Sequence, residues 1–173
     1  MHTPTKLHLA LFAVAVAACA APDGPSPMAP VSSSAVGLSA SSEPESLHFN
    51  LQVLLRGAEG FGHVRFRQPN DDSRIVNLDV WMRDLAPNTN FLLQRAVDRT
   101  LDGACTSTVW LTLGRGLVPQ SITTDDRGTA REHLFRNLSA IAPGTTFDIH
   151  FRVVVANSSE VVLTSECYTF TVR

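Results

Sequence analysis

The sequence predicts an all-β domain of antiparallel strands, and three observations carry that expectation. Beyond Ser46 apolar residues alternate with polar ones, as in Leu47, Phe49, Leu51 and Val53 against His48, Asn50 and Gln52. Strict alternation sends one face of a strand into a core and the other into water. Helical spacing, by contrast, is nowhere sustained for about ten residues. Gly, Pro, Asn and Asp also punctuate the runs at short intervals, as turns between strands require. Roughly nine short strands, each with one buried face, favour a two-sheet antiparallel sandwich over residues 47–173, with a barrel as the second architecture.

The elements follow in order. After the Leu47–Val53 run, a Gly-rich stretch from Gly57 to Gly62 leads into a strand at Phe61–Gln68. Because a strand and not a helix follows, this stretch lacks the helix amino terminus on which phosphate cradling depends. Val76, Leu78, Val80 and Met82 then alternate with Asn77, Asp79 and Trp81. Weaker runs cover Thr89–Val97, Thr106–Leu113, Ile122–Thr124 and Thr129–Phe135. Between the last two, Asp125-Asp126-Arg127-Gly128 suits a type I turn followed by a left-handed glycine. Phe147, Ile149, Phe151, Val153 and Val155 alternate with Asp148, His150 and Arg152. The final run, Val161–Val172, changes phase near Glu166, as a β-bulge would make it do.

Two turns echo one another. Ala86-Pro87-Asn88-Thr89-Asn90-Phe91 and Ala142-Pro143-Gly144-Thr145-Thr146-Phe147 each lead from a turn into a strand. Both resemble the turn-to-strand signature of fibronectin type III and related immunoglobulin-like sandwiches, in which an aromatic follows Pro-x-Thr-x. Here the aromatic is Phe, so the hydroxyl of a tyrosine corner is missing from both copies. The resemblance implies an immunoglobulin-like sandwich.

Upstream of the domain the composition changes twice. Lys6 gives a short positive region, and Leu7 to Ala18 is apolar apart from His8. At about 1.5 Å per residue this run makes about 18 Å of helix, too short for a bilayer core of about 30 Å. Residues 1–18 therefore read as a signal peptide. The run ends in Val16-Ala17-Ala18-Cys19, which resembles the lipobox of bacterial lipoproteins. That resemblance implies cleavage before Cys19, a diacylglycerol on its thiol, and an acylated new amine. The chain is thereby expected to be anchored to the lipid bilayer through Cys19. Ala20 follows the cysteine, and without an acidic residue there an outer-membrane address is favoured where the cell has one. From Cys19 to residue 46 the chain is rich in Ala, Ser and Pro and lacks hydrophobic periodicity. Such a segment buries too little apolar surface to offset its ordering entropy, and it reads as a flexible tether.

Composition narrows the function of the domain. The formal net charge is −2, and from Leu47 onward acidic and basic residues balance, so no basic block points to nucleic acid. Cys105 and Cys167 are the remaining cysteines. In an exported domain they suit one disulfide, the alternative being two buried free thiols. The absence of a Cys-x-x-Cys pair argues against thiol redox chemistry. His48, His63, His133 and His150 are widely separated, unlike the closely spaced His ligands of copper/zinc superoxide dismutase sandwiches, so no metal site and no cofactor is expected. No Gly-x-Ser-x-Gly elbow occurs, and Asp125 and Asp126 fit a turn better than a catalytic pair, leaving no catalytic residue to name.

Two residues resist a purely structural account. Trp81 shares the phase of Asn77 and Asp79, and Trp110 shares that of Thr106, Thr108 and Thr112. Each is either covered by a loop, the tether or a neighbouring edge, or open as a platform for a glycan ring or an envelope protein. The expectation is thus a non-enzymatic binding or structural module tethered in the cell envelope. The competing readings are an envelope enzyme with a loop-built site and a metal-binding relative of the superoxide dismutase sandwich. One test follows for the anchor. Cys19→Ala should abolish acylation and leave an uncleaved or soluble product, measured by intact mass and detergent partitioning. A variant that still carries acyl mass would show that Cys19 is not the lipidated residue.

Overall fold

A computed structural model of the chain describes residues 49–173. The expected signal peptide, Cys19, the expected tether, Leu47 and His48 lie outside the described residues. Every regular element described is a strand, and the alternation read in the sequence sets what each strand buries. In β1 (Asn50–Arg56) Leu51, Val53 and Leu55 turn inward while Asn50, Gln52, Leu54 and Arg56 face out. A tight turn returns the chain as β2 (Phe61–Arg67), fully registered on β1 from Asn50↔Arg67 to Arg56↔Phe61. Next comes β3 (Ile75–Arg83), with Val76, Leu78, Val80 and Met82 buried. On its far side it pairs with β9 (Ala130–Asn137), from Ile75↔Asn137 to Met82↔Ala130. These four strands form one wall.

The opposite wall is built on β10 (Thr146–Val155), which pairs along eight residues with β4 (Asn90–Asp98). Its other side holds β11 (Val161–Thr164) and β12 (Tyr168–Thr171) in succession. Between β4 and β9 the chain makes four short strands: β5 (Leu111–Thr112), β6 (Gly114–Arg115), β7 (Val118–Pro119) and β8 (Ser121–Thr123). Strands β5 and β8 lie on β4, while β6 joins β9 through the parallel pair Arg115↔Phe135. This segment thus straddles the gap between the walls on one side. On the other side β1 meets β11 through the single pair Arg56↔Thr164. The result is one twelve-stranded sheet, nearly closed and barrel-shaped.

Residues from both walls meet inside. Phe66 of β2 stacks edge-on against Phe170 of β12 at 4.7 Å and against Phe151 of β10 at 5.9 Å. Val53, Leu55, Leu78, Met82, Leu93 and Leu163 surround them, all fully buried. Each such side chain contributes about 1.5–3 kcal/mol. At the turn before β9, the Asp125 carboxylate accepts from the amides of Arg127 and Thr129 at 2.9 and 2.8 Å. Gly128 there has φ 72°, and a Cβ would lie 2.1 Å from the Leu85 carbonyl oxygen, so only glycine fits. The two echoed turns share one device as well: Asn88 and Gly144, at matching positions, both take positive φ.

Two local expectations are corrected. Thr106–Trp110 is a loop: the Thr106 hydroxyl and the Ser107 amide go to Asp98, the latter at 3.0 Å, while the Trp110 amide turns back to the Thr108 carbonyl. Val161–Val172 is broken, not bulged, at Ser165–Cys167. There the Ser165 hydroxyl accepts from Phe151 N at 2.9 Å, in place of a ladder bond. The register shift falls instead in the β10–β11 pairing, between Val153 and Val154.

The break places Cys167 beside Cys105, and the two sulfurs are joined, with the Cα atoms 5.3 Å apart. The bond holds the 99–110 loop across the outer face of β10. Beneath that loop the fully buried Asp148 carboxylate accepts from Gly103 N at 2.9 Å and from the Thr169 hydroxyl at 2.7 Å. With a sequence separation of 62, closing this loop stabilises the fold by about 4 kcal/mol in the chain-entropy description. Reduction of the full chain should therefore lower its urea midpoint. The oxidised protein should show no alkylatable thiol at Cys105 or Cys167 when denatured. An unchanged midpoint would show that the covalent link adds nothing to the packing.

Candidate functional site

Register decides which side chains meet on the outer face of the first wall. His63 lies opposite Trp81, and Trp81 lies opposite Arg131, making one row across β2, β3 and β9. The next row is Arg65, Asp79 and His133. His63, Trp81, Arg131, Asp79 and His133 of these rows line an open groove of about 700 Å³ together with Glu132, and Arg65 stands beside it in the second row. Trp81 is half-buried, with the His63 ring at 5.3 Å and tilted by 34°, and the Phe61 ring edge-on at 6.2 Å. The Arg83 guanidinium lies 5.6 Å from the indole centroid, within cation–π range.

The polar side of the groove is an ordered chain of contacts. Asp79 Oδ1 is 2.8 Å from His133 Nδ1, and its Oδ2 is 3.8 Å from Arg67. These partners are about half exposed, so the pairing contributes on the order of 0–1 kcal/mol and orients more than it stabilises. Glu132 belongs to the inward phase of β9 and is taken up by Arg115 at 2.9 Å. Arg131 and Arg65 make no side-chain hydrogen bond or ion pair among the described residues. The groove lining contains no Ser, Thr or Cys to act as a nucleophile beside the Asp79–His133 pair. Among the described residues no group of three or more His, Cys, Asp and Glu converges as a metal cluster would. What the groove offers is an aromatic face, unpaired guanidinium and hydrogen-bonding imidazoles.

Trp110 is placed differently. It leaves the covering loop just before β5, and its ring lies over Arg152, 4.1 Å from the guanidinium carbon. The His150 ring is 4.6 Å away, and His150 Nε2 donates to the Ser107 carbonyl at 3.1 Å. Arg152 Nε in turn donates to Gln94 Oε1 at 2.8 Å. Burial lowers the Arg152 pKa from its ordinary value. Trp110 is thus part of the cover over β10, and the two tryptophans lie on different walls. Inside, Arg95 occupies the inward phase of β4 opposite Phe151. Its burial, and then the charge of Arg136, lower its pKa.

Sequence phase finds Trp81 and Asp79 but not their neighbours. His63, Arg131 and His133 join the groove only through the registers of β2 and β9 on β3, which alternation alone does not specify. No protein-family model matches the chain, and a search of curated proteins returns no significant match.

The two tryptophans are the only ones in the chain, which makes each separately observable. A Trp110→Phe protein should emit from Trp81 alone, at long wavelength and with ready acrylamide quenching. A Trp81→Phe protein should emit from Trp110 and resist quenching more. Trp81→Ala should cost about 1 kcal/mol or less in urea unfolding, against about 3–5 kcal/mol for a buried aromatic. A larger loss would mean that Trp81 belongs to the core.

Proposed function

We propose that the chain is a lipid-anchored protein of the bacterial envelope, favoured at the outer membrane, that acts as a non-enzymatic binding module. The anchor rests on the tetrapeptide Val16-Ala17-Ala18-Cys19 after a short apolar run, and acyl chains on Cys19 would hold the domain to the bilayer. The binding role rests on one observation: Trp81, on the solvent phase of a central strand, opens into a groove edged by polar groups. An indole with an accessible face is a stacking surface for a flat ring, and the groups around it supply orientation.

An immunoglobulin-like sandwich is part of the same reading of the domain. It is supported by the two Pro-x-Thr turns and by the single pair, Arg56↔Thr164, that joins the walls on the β1–β11 side.

The test uses the full chain in non-ionic detergent against immobilised glycan prepared from cell envelope. Retention by the wild type and by Trp110→Phe, with loss in Trp81→Ala, is the expected result. Equal retention of all three would show that Trp81 is not the platform.

A further inference from the structure

The outer face of the β1–β2–β3–β9 wall is charged in a way that the domain as a whole is not. Its outward cations are Arg56, Arg65, Arg67, Arg83 and Arg131, its outward carboxylate is Asp79, and Glu132, which also lines the groove, is neutralised by Arg115 at 2.9 Å. All five arginines are exposed. Over the described residues acidic and basic side chains balance, so the excess on this wall is a segregation and not a reflection of composition. Most carboxylates sit instead in the turns, such as Asp71, Asp72, Asp125 and Asp126.

Position sharpens the point. Asp79 is already shared between His133 and Arg67. Arg65 and Arg131, unpaired among the described residues, stand diagonally on either side of Trp81 and Asp79. They are two strands apart and one row apart, which places their Cα atoms about 12 Å from one another. An aromatic face between two free guanidinium groups matches a ligand that carries rings and repeated negative charge. Arg is suited to this because its planar fork takes carboxylate oxygens in pairs.

We infer that this wall binds a linear acidic polysaccharide, one ring stacked on Trp81 and its flanking carboxylates held by Arg65 and Arg131. The inference rests on the Trp81 platform proposed above and adds the charge class of its ligand. A lipid surface fits less well. Insertion among headgroups needs exposed apolar side chains, and the most exposed of these, Val109, Leu117 and Val118, lie in the covering loop and on the β6–β7 hairpin. On the arginine wall the exposed apolar residue is Leu54.

The experiment measures binding of polygalacturonate, a polymer of uronate rings, to the full chain in non-ionic detergent. Saturable binding is expected, weakening as salt rises from about 0.05 M to about 0.5 M as exposed charges are screened. Arg65→Gln combined with Arg131→Gln should weaken it about tenfold, the loss of charge-assisted hydrogen bonds, with the urea midpoint unchanged. Trp81→Ala should weaken it as well. Fully methyl-esterified polymer, which keeps the rings and loses the charges, should not bind. If the ester binds as tightly as the acid and Trp81→Ala abolishes both, the acidic assignment is overturned while the platform stands. If neither polymer binds, or Trp81→Ala changes nothing, the platform fails with it. Tighter binding to phosphatidylglycerol vesicles or to oligothymidylate would overturn the polysaccharide in favour of a lipid surface or a nucleic acid.

Discussion

Phe66 reaches across the interior to Phe151 and Phe170, and that meeting of rings does what hydrogen bonding between the walls does not. Within each wall the ladders are long: seven pairs join β1 to β2, and eight join β4 to β10. Between the walls, on the β1–β11 side, the ladder shrinks to Arg56↔Thr164. On this side, therefore, backbone pairing joins the walls only weakly and side chains fix their mutual position. Close-packed aromatic and aliphatic groups, in which a change of one methylene is felt, set that position. Side chains add further ties: the Leu54 amide donates to the Tyr168 hydroxyl at 3.0 Å, and the Arg173 amide donates to Gln68 Oε1 at 2.8 Å.

The same packing dictates what happens outside. Once alternate residues are committed to the interior, the remaining ones face outward, and each wall disposes of them differently. Over β10 the loop from 99 to 110 lies across the outward residues, so Asp148 and Ala96 are fully buried on what would otherwise be solvent phase. Trp110 belongs to that cover, and its partners His150 and Arg152 are met from above. Over β3 no such loop exists among the described residues. Trp81 there keeps only lateral neighbours, whereas Trp110, in a loop, packs on the residues beneath it.

Alternation made the all-β character and most strand positions legible, because burial on one face leaves a period of two in the residues themselves. Phase also identified Trp81 as outward. It failed over Thr106–Trp110, where polar residues at alternate positions imitate a strand while the Thr106 hydroxyl and the Ser107 amide hydrogen-bond to Asp98. It failed too at Ser165–Cys167, where the chain leaves the ladder to bring Cys167 to Cys105. The closure of the sheet was not legible either. It depends on two- and three-residue strands between Leu111 and Thr123, too short to show any period. The groove around Trp81 was half legible: its indole and Asp79 lie on one strand, but His63, Arg131 and His133 arrive through cross-strand register, which no local pattern encodes.

The link between Cys105 and Cys167 has a bearing on how the chain is oxidised without error. Three cysteines allow three different pairings, and two of them would use Cys19. Cys105 precedes Cys167 by 62 residues, so a chain made from its amino terminus holds Cys19 and Cys105 before Cys167 is added. Acylation of Cys19 would withdraw that thiol and leave a single pairing to be made. The proposed acylation of Cys19 would then serve as a protecting group as well as an anchor.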